Sequence, residues 1–185
     1  QYIDCSQVEP GIYMTGTALL DSLINKRPSE RTGNRSPNTP AAPHGAYRCA
    51  GDDRWIAIAV TNAEEWQAFV QTMGQPAWTQ DARFASLAAR IINQDELDEF
   101  VSKWTKDKDA FALQDQLQQA GVPAGVCQTA QDRLEHDPQL KHLKWLIPLP
   151  HSEIGTWPVK DVPFHFTKAT VNQGGPTERA APCYG

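Results

Sequence analysis

The placement of proline restricts regular structure in this chain more than any other feature of the sequence. Fourteen prolines occur among 185 residues, and four of them lie within residues 26–43, where Lys and Arg alternate with Pro and Gly. Proline fixes φ and has no backbone N–H, so this run cannot form a regular helix or a central strand. Four further prolines, at positions 148, 150, 158 and 163, limit the late segment to short strands at sheet edges.

Helix signals are concentrated between these two proline-rich segments. Asn62 and Asn93 are each followed three residues later by a glutamate, which is the spacing of an N-terminal capping box, and Gly74 and Gly121 are typical stop residues. Apolar residues recur at helical spacing between these signals, and their aromatic members are predicted to form a core rather than a ligand site. The predicted helices cover 62–74, 93–104 and 109–120, with a further helix over 8–25, a short helix over 129–135 and another helical turn that begins at 137–138.

Strand signals follow the first proline-rich run. Residues 44–50 and 55–60 are separated by a Gly-Asp-Asp turn and predict two strands. The second is an almost continuous apolar run, so we expect it to be central and covered on both faces. Shorter strands are predicted at 2–5, 145–149, 156–159 and 164–166. Together these elements predict an α+β fold, a small antiparallel sheet with packed helices.

Composition narrows the classes of protein to which the chain can belong. The 17 basic and 22 acidic residues give a net charge of −5, which argues against a nucleic-acid-binding protein or a polybasic membrane-surface protein. No run of about 18 apolar residues is present, so no membrane-spanning helix is expected. The cysteines at positions 5, 49, 127 and 183 are isolated. We therefore predict small buried thiols, no structural zinc site and a cytoplasmic location.

Catalytic motifs of small-molecule enzymes are absent from the sequence. It contains no G-x-G-x-x-G, no P-loop, no H-E-x-x-H and no G-x-S-x-G, and its histidines are scattered. The acid pairs at 52–53, 95–96 and 98–99 are interpreted as solvated surface. Cys127 remains open as a nucleophile, although no cationic residue lies close in sequence to lower its pKa. No catalytic residue, metal ligand or cofactor site is predicted.

One stretch, residues 33–47, has the character of a functional loop. Glycine and proline shape its backbone, Asn34 and Arg35 offer donors to an anion or a carbonyl, and His44 and Tyr47 lie at its end. The candidate site residues are Asn34, Arg35, His44, Gly45 and Tyr47. From the residues alone, both a ligand-facing loop and an ordinary linker remain open.

A series of longer motifs carries a resemblance along the whole chain. GNRSP, APHGAYRCAGDDRWIAIAV, D-x-R-F, N-x-D-E-L, AGVPAG, DPQL, GTWPVKDVPFHFT and RAAPCYG occur in this order. The combination resembles the class III CoA-transferases, the group that contains formyl-CoA and carnitine CoA-transferases. The resemblance implies the small α+β domain of an otherwise α/β enzyme.

The resemblance also implies a mechanism that this chain does not complete. The family moves CoA between carboxylates through intermediates on an aspartate, and covalent catalysis of this kind divides one difficult step into easier ones. The resemblance places that aspartate upstream of the position matching Gln1, and it implies that Asp4 is structural. We therefore expect a C-terminal portion that is inactive alone, with the CoA thioester as substrate and no cofactor. The loop from Asn34 to Pro43 then stands where the family has a glycine-rich lid over the acyl end.

The expected organisation follows from this comparison. Residues 1–25 are interpreted as a remnant of the large domain, 26–43 as a linker or active-site loop, 44–142 as the small domain, and 143–185 as strands and tail returning toward the large domain. Family members form interlocked dimers, so we expect a homodimer, with acyl-CoA or a carboxylate as the other partner. The first helix and the strands after Trp145 are expected to expose apolar surface.

Two alternatives belong to other functional classes. One is a stand-alone binding or interaction module derived from the transferase. The other is the α-methylacyl-CoA racemase branch of the superfamily, whose members tend to carry a glutamate near the position of Gly45. The glycine at this position favours the transferase.

Overall fold

The computed structural model describes residues 4–27, 31–36, 39–151, 153–161 and 166–168. The chain divides into two compact units, residues 1–127 and 128–185. The described part of the first unit contains two short 3₁₀ helices, Ala77–Gln80 and Ala82–Phe84, and the following elements: α1 (Val8–Met14), α2 (Gly16–Ile24), β1 (His44–Arg48), β2 (Trp55–Ala59), α3 (Ala63–Thr72), α4 (Leu87–Ile92), α5 (Gln94–Thr105), α6 (Ala110–Gln119) and β3 (Ala124–Val126).

The three strands form an antiparallel sheet in the order β1-β2-β3, with Tyr47 opposite Ile56 and Ile58 opposite Ala124. The prediction that the second strand is central is confirmed, and so is the α+β class. Helix α5 packs on β1, and α6 packs on β2 and β3. Tyr47, Ile56 and Ile58 lie on this covered face and are buried.

The prediction that β2 is covered on both faces is wrong. Ala57 is exposed, and it pairs with Ala46 on one side and Gly125 on the other, so small residues form the open face of the sheet. Alternate positions of the apolar run are alanines, which count as hydrophobic in a sequence pattern but bury little area per residue.

An aromatic cluster fills the core between the helices. Trp78 stacks on Phe100 with ring centroids 4.6 Å apart, and Phe84 meets both rings edge-on. Phe69 makes a further edge-on contact with Trp104. The prediction that the aromatic stripes serve core packing is confirmed. The two 3₁₀ helices, α4 and β3 were not predicted, because each is too short to show a hydrophobic period.

The two predicted capping boxes have different outcomes. Asn62 accepts a hydrogen bond from the amide of Glu65 at 2.9 Å, and the Glu65 carboxylate accepts from the Thr61 amide at 2.6 Å, so the first is confirmed. Asn93 makes no cap and instead donates to the Ala89 carbonyl at 2.9 Å. The helix before it, α4, ends there, and the Asn93 side chain adds a second hydrogen bond to a carbonyl that also accepts from the Asn93 backbone amide at 3.1 Å.

The predicted first helix is interrupted at Thr15, which separates α1 from α2. No residue of either helix is buried, so the expected exposure of apolar surface is confirmed here. The exposed large apolar residues of this segment are Val8, Ile12, Tyr13, Met14, Leu19, Leu20, Leu23 and Ile24.

The described part of the second unit contains a π-helical turn (Asp132–His136), helix α7 (Pro138–His142) and a hairpin of β4 (Leu146–His151) and β5 (Gly155–Lys160). Both strands are edges, as predicted. Trp157 and Val159 are exposed, which also agrees with the expected apolar surface. The strands predicted at 2–5 and 164–166 lie largely outside the described residues.

The cysteines differ in burial. Cys49 is buried as predicted, whereas Cys5 and Cys127 are exposed, so the prediction is wrong for these two, and Cys183 lies outside the described residues. Cys127 directly follows the three-residue edge strand β3. Within the described ranges, no group of histidine, cysteine and acidic residues is arranged to hold a metal ion, and no helix is long and apolar enough to cross a bilayer.

Candidate functional site

Two adjoining depressions meet at strand β1, an edge of the sheet. The first has a volume of about 340 Å³ and lies on the open face, where Ala46, Ala57 and Gly125 are among the residues that line it. The second, of about 470 Å³, lies between β1, the segment 31–36 and α5. We call the two together the sheet groove. It is concave, with an apolar floor at one end and polar groups at the other, as small-molecule sites commonly are.

All five residues predicted for the site line this groove: Asn34, Arg35, His44, Gly45 and Tyr47. His44 joins the two parts of the predicted loop, because its Nδ1 donates to the carbonyl oxygen of Asn34. A carbonyl only accepts, so Nδ1 carries the proton. Among the described residues no hydrogen bond is made by Nε2, and His44 lines both depressions.

Arg35 ties the 31–36 segment to helix α5. Its Nη2 forms an ion pair with Asp95 and lies 3.9 Å from Asp98 Oδ2. The side chain of Arg35 is 43% exposed and that of Asp95 is 92% exposed. A pair with this much solvent contact stabilises the fold only slightly, so an anionic ligand competes for the guanidinium at low cost.

Asp98 is a site residue that the sequence interpretation missed. It accepts a hydrogen bond of 2.6 Å from the buried Tyr47 hydroxyl, and its side chain is only 31% exposed. The interpretation of the 98–99 pair as solvated surface is therefore wrong for Asp98. Nothing in the sequence links Tyr47 with a carboxylate 51 positions later; only the packing of α5 on β1 brings them together.

Burial shifts the pKa of both members of this pair. Desolvation raises the pKa of Tyr47 far above its ordinary value, and the hydrogen bond to Asp98 raises it further. Desolvation also raises the pKa of Asp98, although the Tyr47 hydrogen bond and the charge of Arg35 act in the opposite direction. Tyr47 therefore remains a neutral donor throughout the physiological range.

Gly45 is constrained by Tyr47. A Cβ at position 45 would lie 3.1 Å from the Tyr47 hydroxyl oxygen and 3.2 Å from Cζ. A side chain at this position would require the tyrosine ring to shift by a few tenths of an ångström. The same holds for the glutamate that the racemase branch tends to carry near this position.

We predict that Asp98→Asn changes how stability depends on pH. Because the pKa of Asp98 is raised on folding from 3.8, the native state binds the proton more tightly, and the Asp98 contribution to stability falls as pH rises from about 4 through the raised pKa. The asparagine variant lacks this loss, so its stability relative to wild type should increase with pH. The increase amounts to about 1.4 kcal/mol for each tenfold difference in proton affinity between the folded and unfolded states. Urea unfolding from pH 3.5 to 8 measures it.

Glu99→Gln on the exposed side of the same helix is the control, since the Glu99 side chain is 72% exposed. Its stability difference from wild type should stay flat over the same range. A flat difference for Asp98→Asn as well would contradict the prediction.

Comparison with known proteins decides the family. The family model for CoA-transferase family III matches residues 1–185, the whole chain. The chain belongs to CoA-transferase family III. The resemblance found in the sequence motifs is thereby confirmed.

Relatives and a solved structure agree with this membership. The chain is 36% identical over 155 residues to succinyl-CoA–D-citramalate CoA-transferase of Chloroflexus aurantiacus, covering 74% of the chain and 38% of that protein. It is 35% identical over 121 residues to a probable CoA-transferase of Mycobacterium tuberculosis, covering 65% of the chain and 15% of that protein. A CaiB/BaiF family protein from Brucella suis superposes with a TM-score of 0.72 at 25% identity, over 85% of this chain and 39% of that one. The chain thus spans about two fifths or less of the length of these family III proteins.

Proposed function

We propose that this chain is the C-terminal small domain of a class III CoA-transferase that moves CoA between carboxylic acids. The observation that carries the proposal is the family match along all 185 residues. In this proposal an aspartate elsewhere in the enzyme forms the covalent intermediates, and the chain described here supplies the wall of the acyl site. No catalytic nucleophile is assigned to the small domain.

The sheet groove is the proposed location of the acyl group. Its floor is formed by the small residues Ala46, Ala57 and Gly125, and the depression above them has a volume of about 340 Å³. Donors lie beside this floor, with Asn34 lining both depressions and Arg31 lining the polar one. A cation next to an apolar trough suits an acyl group that ends in a second carboxylate.

The substrates named for three relatives support dicarboxylic acids as the class. These relatives are the succinyl-CoA–D-citramalate, formyl-CoA:oxalate and succinate–glutarate CoA-transferases, at 36%, 26% and 26% identity. Citramalate, oxalate, succinate and glutarate all carry two carboxylates. We therefore propose a dicarboxylate as donor or acceptor, with one carboxylate exchanging CoA and the other facing the arginines of the 31–36 segment.

The test is an exchange assay with succinyl-CoA and a second dicarboxylate, followed by mass spectrometry. The 185-residue chain alone should show no exchange above the blank. A family-length protein, meaning one as long as the family III relatives and containing this chain, should show turnover. Robust turnover by the chain alone would contradict the absence of a nucleophile. A family-length protein that instead exchanges the α-proton of an acyl-CoA with D₂O belongs to the racemase branch, and the transferase proposal fails.

The exposed apolar faces favour a second role in association. Helices α1 and α2 present eight large apolar residues to solvent, and in monomeric proteins patches of this kind mark interaction sites. We propose that this face forms contacts in a homodimer. This face would serve equally in an interaction module without transferase activity.

Light scattering at high concentration tests the association. The measured molar mass should correspond to more than one copy of the chain per particle. Leu20→Glu should shift the mass toward that of the monomer, because a charge is costly in an apolar contact. Gln67→Glu, on the solvent side of α3, should leave the distribution unchanged. A clean monomer for the wild type would contradict the proposal.

A further inference from the structure

Arg90 is a buried cation without an acidic partner. Only 1% of its surface is exposed, and burial lowers the pKa of the guanidinium to about 10, so it remains charged at neutral pH. No carboxylate within the described residues forms an ion pair with it. Burying an unpaired charge is costly, and a charge retained under these conditions needs an explanation beyond packing.

The contacts of Arg90 converge on backbone carbonyls. Nε donates to the Ala42 carbonyl at 2.9 Å and Nη1 donates to the Phe84 carbonyl at 3.3 Å, while the guanidinium lies 4.3 Å from the centroid of the Trp66 ring. Nη2 is buried and has no acceptor among the residues that the structure describes. The planar fork of arginine is used to hold two separate chain segments at once, and one of them leads into the groove.

The held segment, residues 41–43, runs directly into the site. The Ala42 amide donates to the Val60 carbonyl, and the Val60 amide donates to the Pro43 carbonyl, both at 2.9 Å. His44, the next residue, begins β1 and lines both depressions. A shift at Ala42 therefore reaches the wall of the sheet groove within two residues.

We propose that Arg90 is a positioning residue, a buried clamp on the Ala42 carbonyl that sets the place of His44 and Gly45 in the groove. It does not touch the groove itself and acts only through the backbone of 41–43. A purely structural role in packing makes a different prediction. If Arg90 only filled space in the core, an apolar side chain of similar length would leave the groove unchanged.

The first experiment compares Arg90→Met with Arg83→Met by NMR and hydrogen exchange. Arg83 is a matched control, because it lies one element earlier and its side chain is 48% exposed. In Arg90→Met the amides of Ala42 and Val60 should exchange at least about tenfold faster, while those of Ile58 and Leu97 do not change. The backbone amide chemical shifts of His44 and Gly45 should also move, because residues 41–43 lead directly into β1. Unchanged Ala42 and Val60 exchange together with unchanged His44 and Gly45 shifts would overturn the proposal.

Arg90→Lys distinguishes the effect of the planar guanidinium from the effect of its charge. Lysine keeps the cation but lacks the planar fork, so it should loosen 41–43 as Arg90→Met does. Wild-type exchange rates at the Ala42 and Val60 amides in Arg90→Lys would show that the charge alone matters and would overturn the proposal.

A measurement on the wild type covers the case in which neither variant folds. The Nε proton of Arg90 should exchange more than about tenfold slower than that of Arg83, since it is buried against the Ala42 carbonyl. Equal rates would overturn the proposal. The inference rests on the proposed function only in treating the groove as the acyl site. All measurements use the 185-residue chain without substrate, so a failed exchange assay leaves their outcome unaffected.

Discussion

Replacing Phe84 with alanine is expected to lower the free energy of unfolding by about 3–5 kcal/mol. The ring is fully buried and meets Trp78 and Phe100 edge-on, with centroids 5.5 and 6.1 Å away. Its removal leaves a cavity between two aromatic groups that are fixed by their own stacking and cannot collapse into the space. Urea unfolding followed by tryptophan fluorescence and circular dichroism measures the loss.

Two variants control this result. Phe84→Leu should cost less than the alanine change because it leaves a smaller void. Arg83→Gln removes the neighbouring exposed side chain, which pairs with Asp81 and Glu96, and should cost less than about 1 kcal/mol. A loss below about 1 kcal/mol for Phe84→Ala would mean that the ring is not part of the core.

Replacing Ala57 with phenylalanine is expected to reduce CoA transfer by about 100-fold in kcat/KM, in a family-length protein containing this segment. Ala57 is exposed on the open face of the sheet and lines the apolar part of the groove. A ring at this position occupies the space proposed for the acyl chain. Stability should change by no more than about 0.5 kcal/mol, because the site is on the surface.

Ala50→Phe is the matched control. Ala50 is an exposed alanine just after β1 and is not among the residues that line the groove. It should leave kcat/KM for succinyl-CoA unchanged. An Ala57→Phe enzyme with wild-type kcat/KM would place the acyl group elsewhere, whereas a wild type without transfer would contradict the proposed function itself.

The motif D-x-R-F shows what the family resemblance reports about this chain. Asp81 accepts from the Arg83 amide at 2.9 Å and caps the second 3₁₀ helix, and Phe84 enters the core. The residues that identify the family most clearly here are therefore structural. They predict the fold reliably, and they say little about substrate.

Helix starts and stops were accessible to sequence reasoning where the signal is local. Helix α3 begins after the capping pair Asn62 and Glu65 and ends just before Gly74. Asp109 caps α6. Asn93 carries the same spacing, yet it ends α4 instead of capping α5. The pattern alone does not show whether another helix precedes the cap. Helix α4 is too short to be recognised from its hydrophobic period.

The sequence by itself determined the family, the α+β class, the order of the main helices and strands, and five of the residues that line one groove. These depend on local spacing, turn chemistry and motifs that occur in a fixed order. Only the tertiary structure showed that Asp98 bonds Tyr47 and that Arg90 holds the Ala42 carbonyl. Both contacts join residues about 50 positions apart, and the exposure of Ala57 on the open face of the sheet is likewise a result of packing. Long-range partners and the coverage of a sheet depend on how the elements pack, and no local pattern encodes that packing.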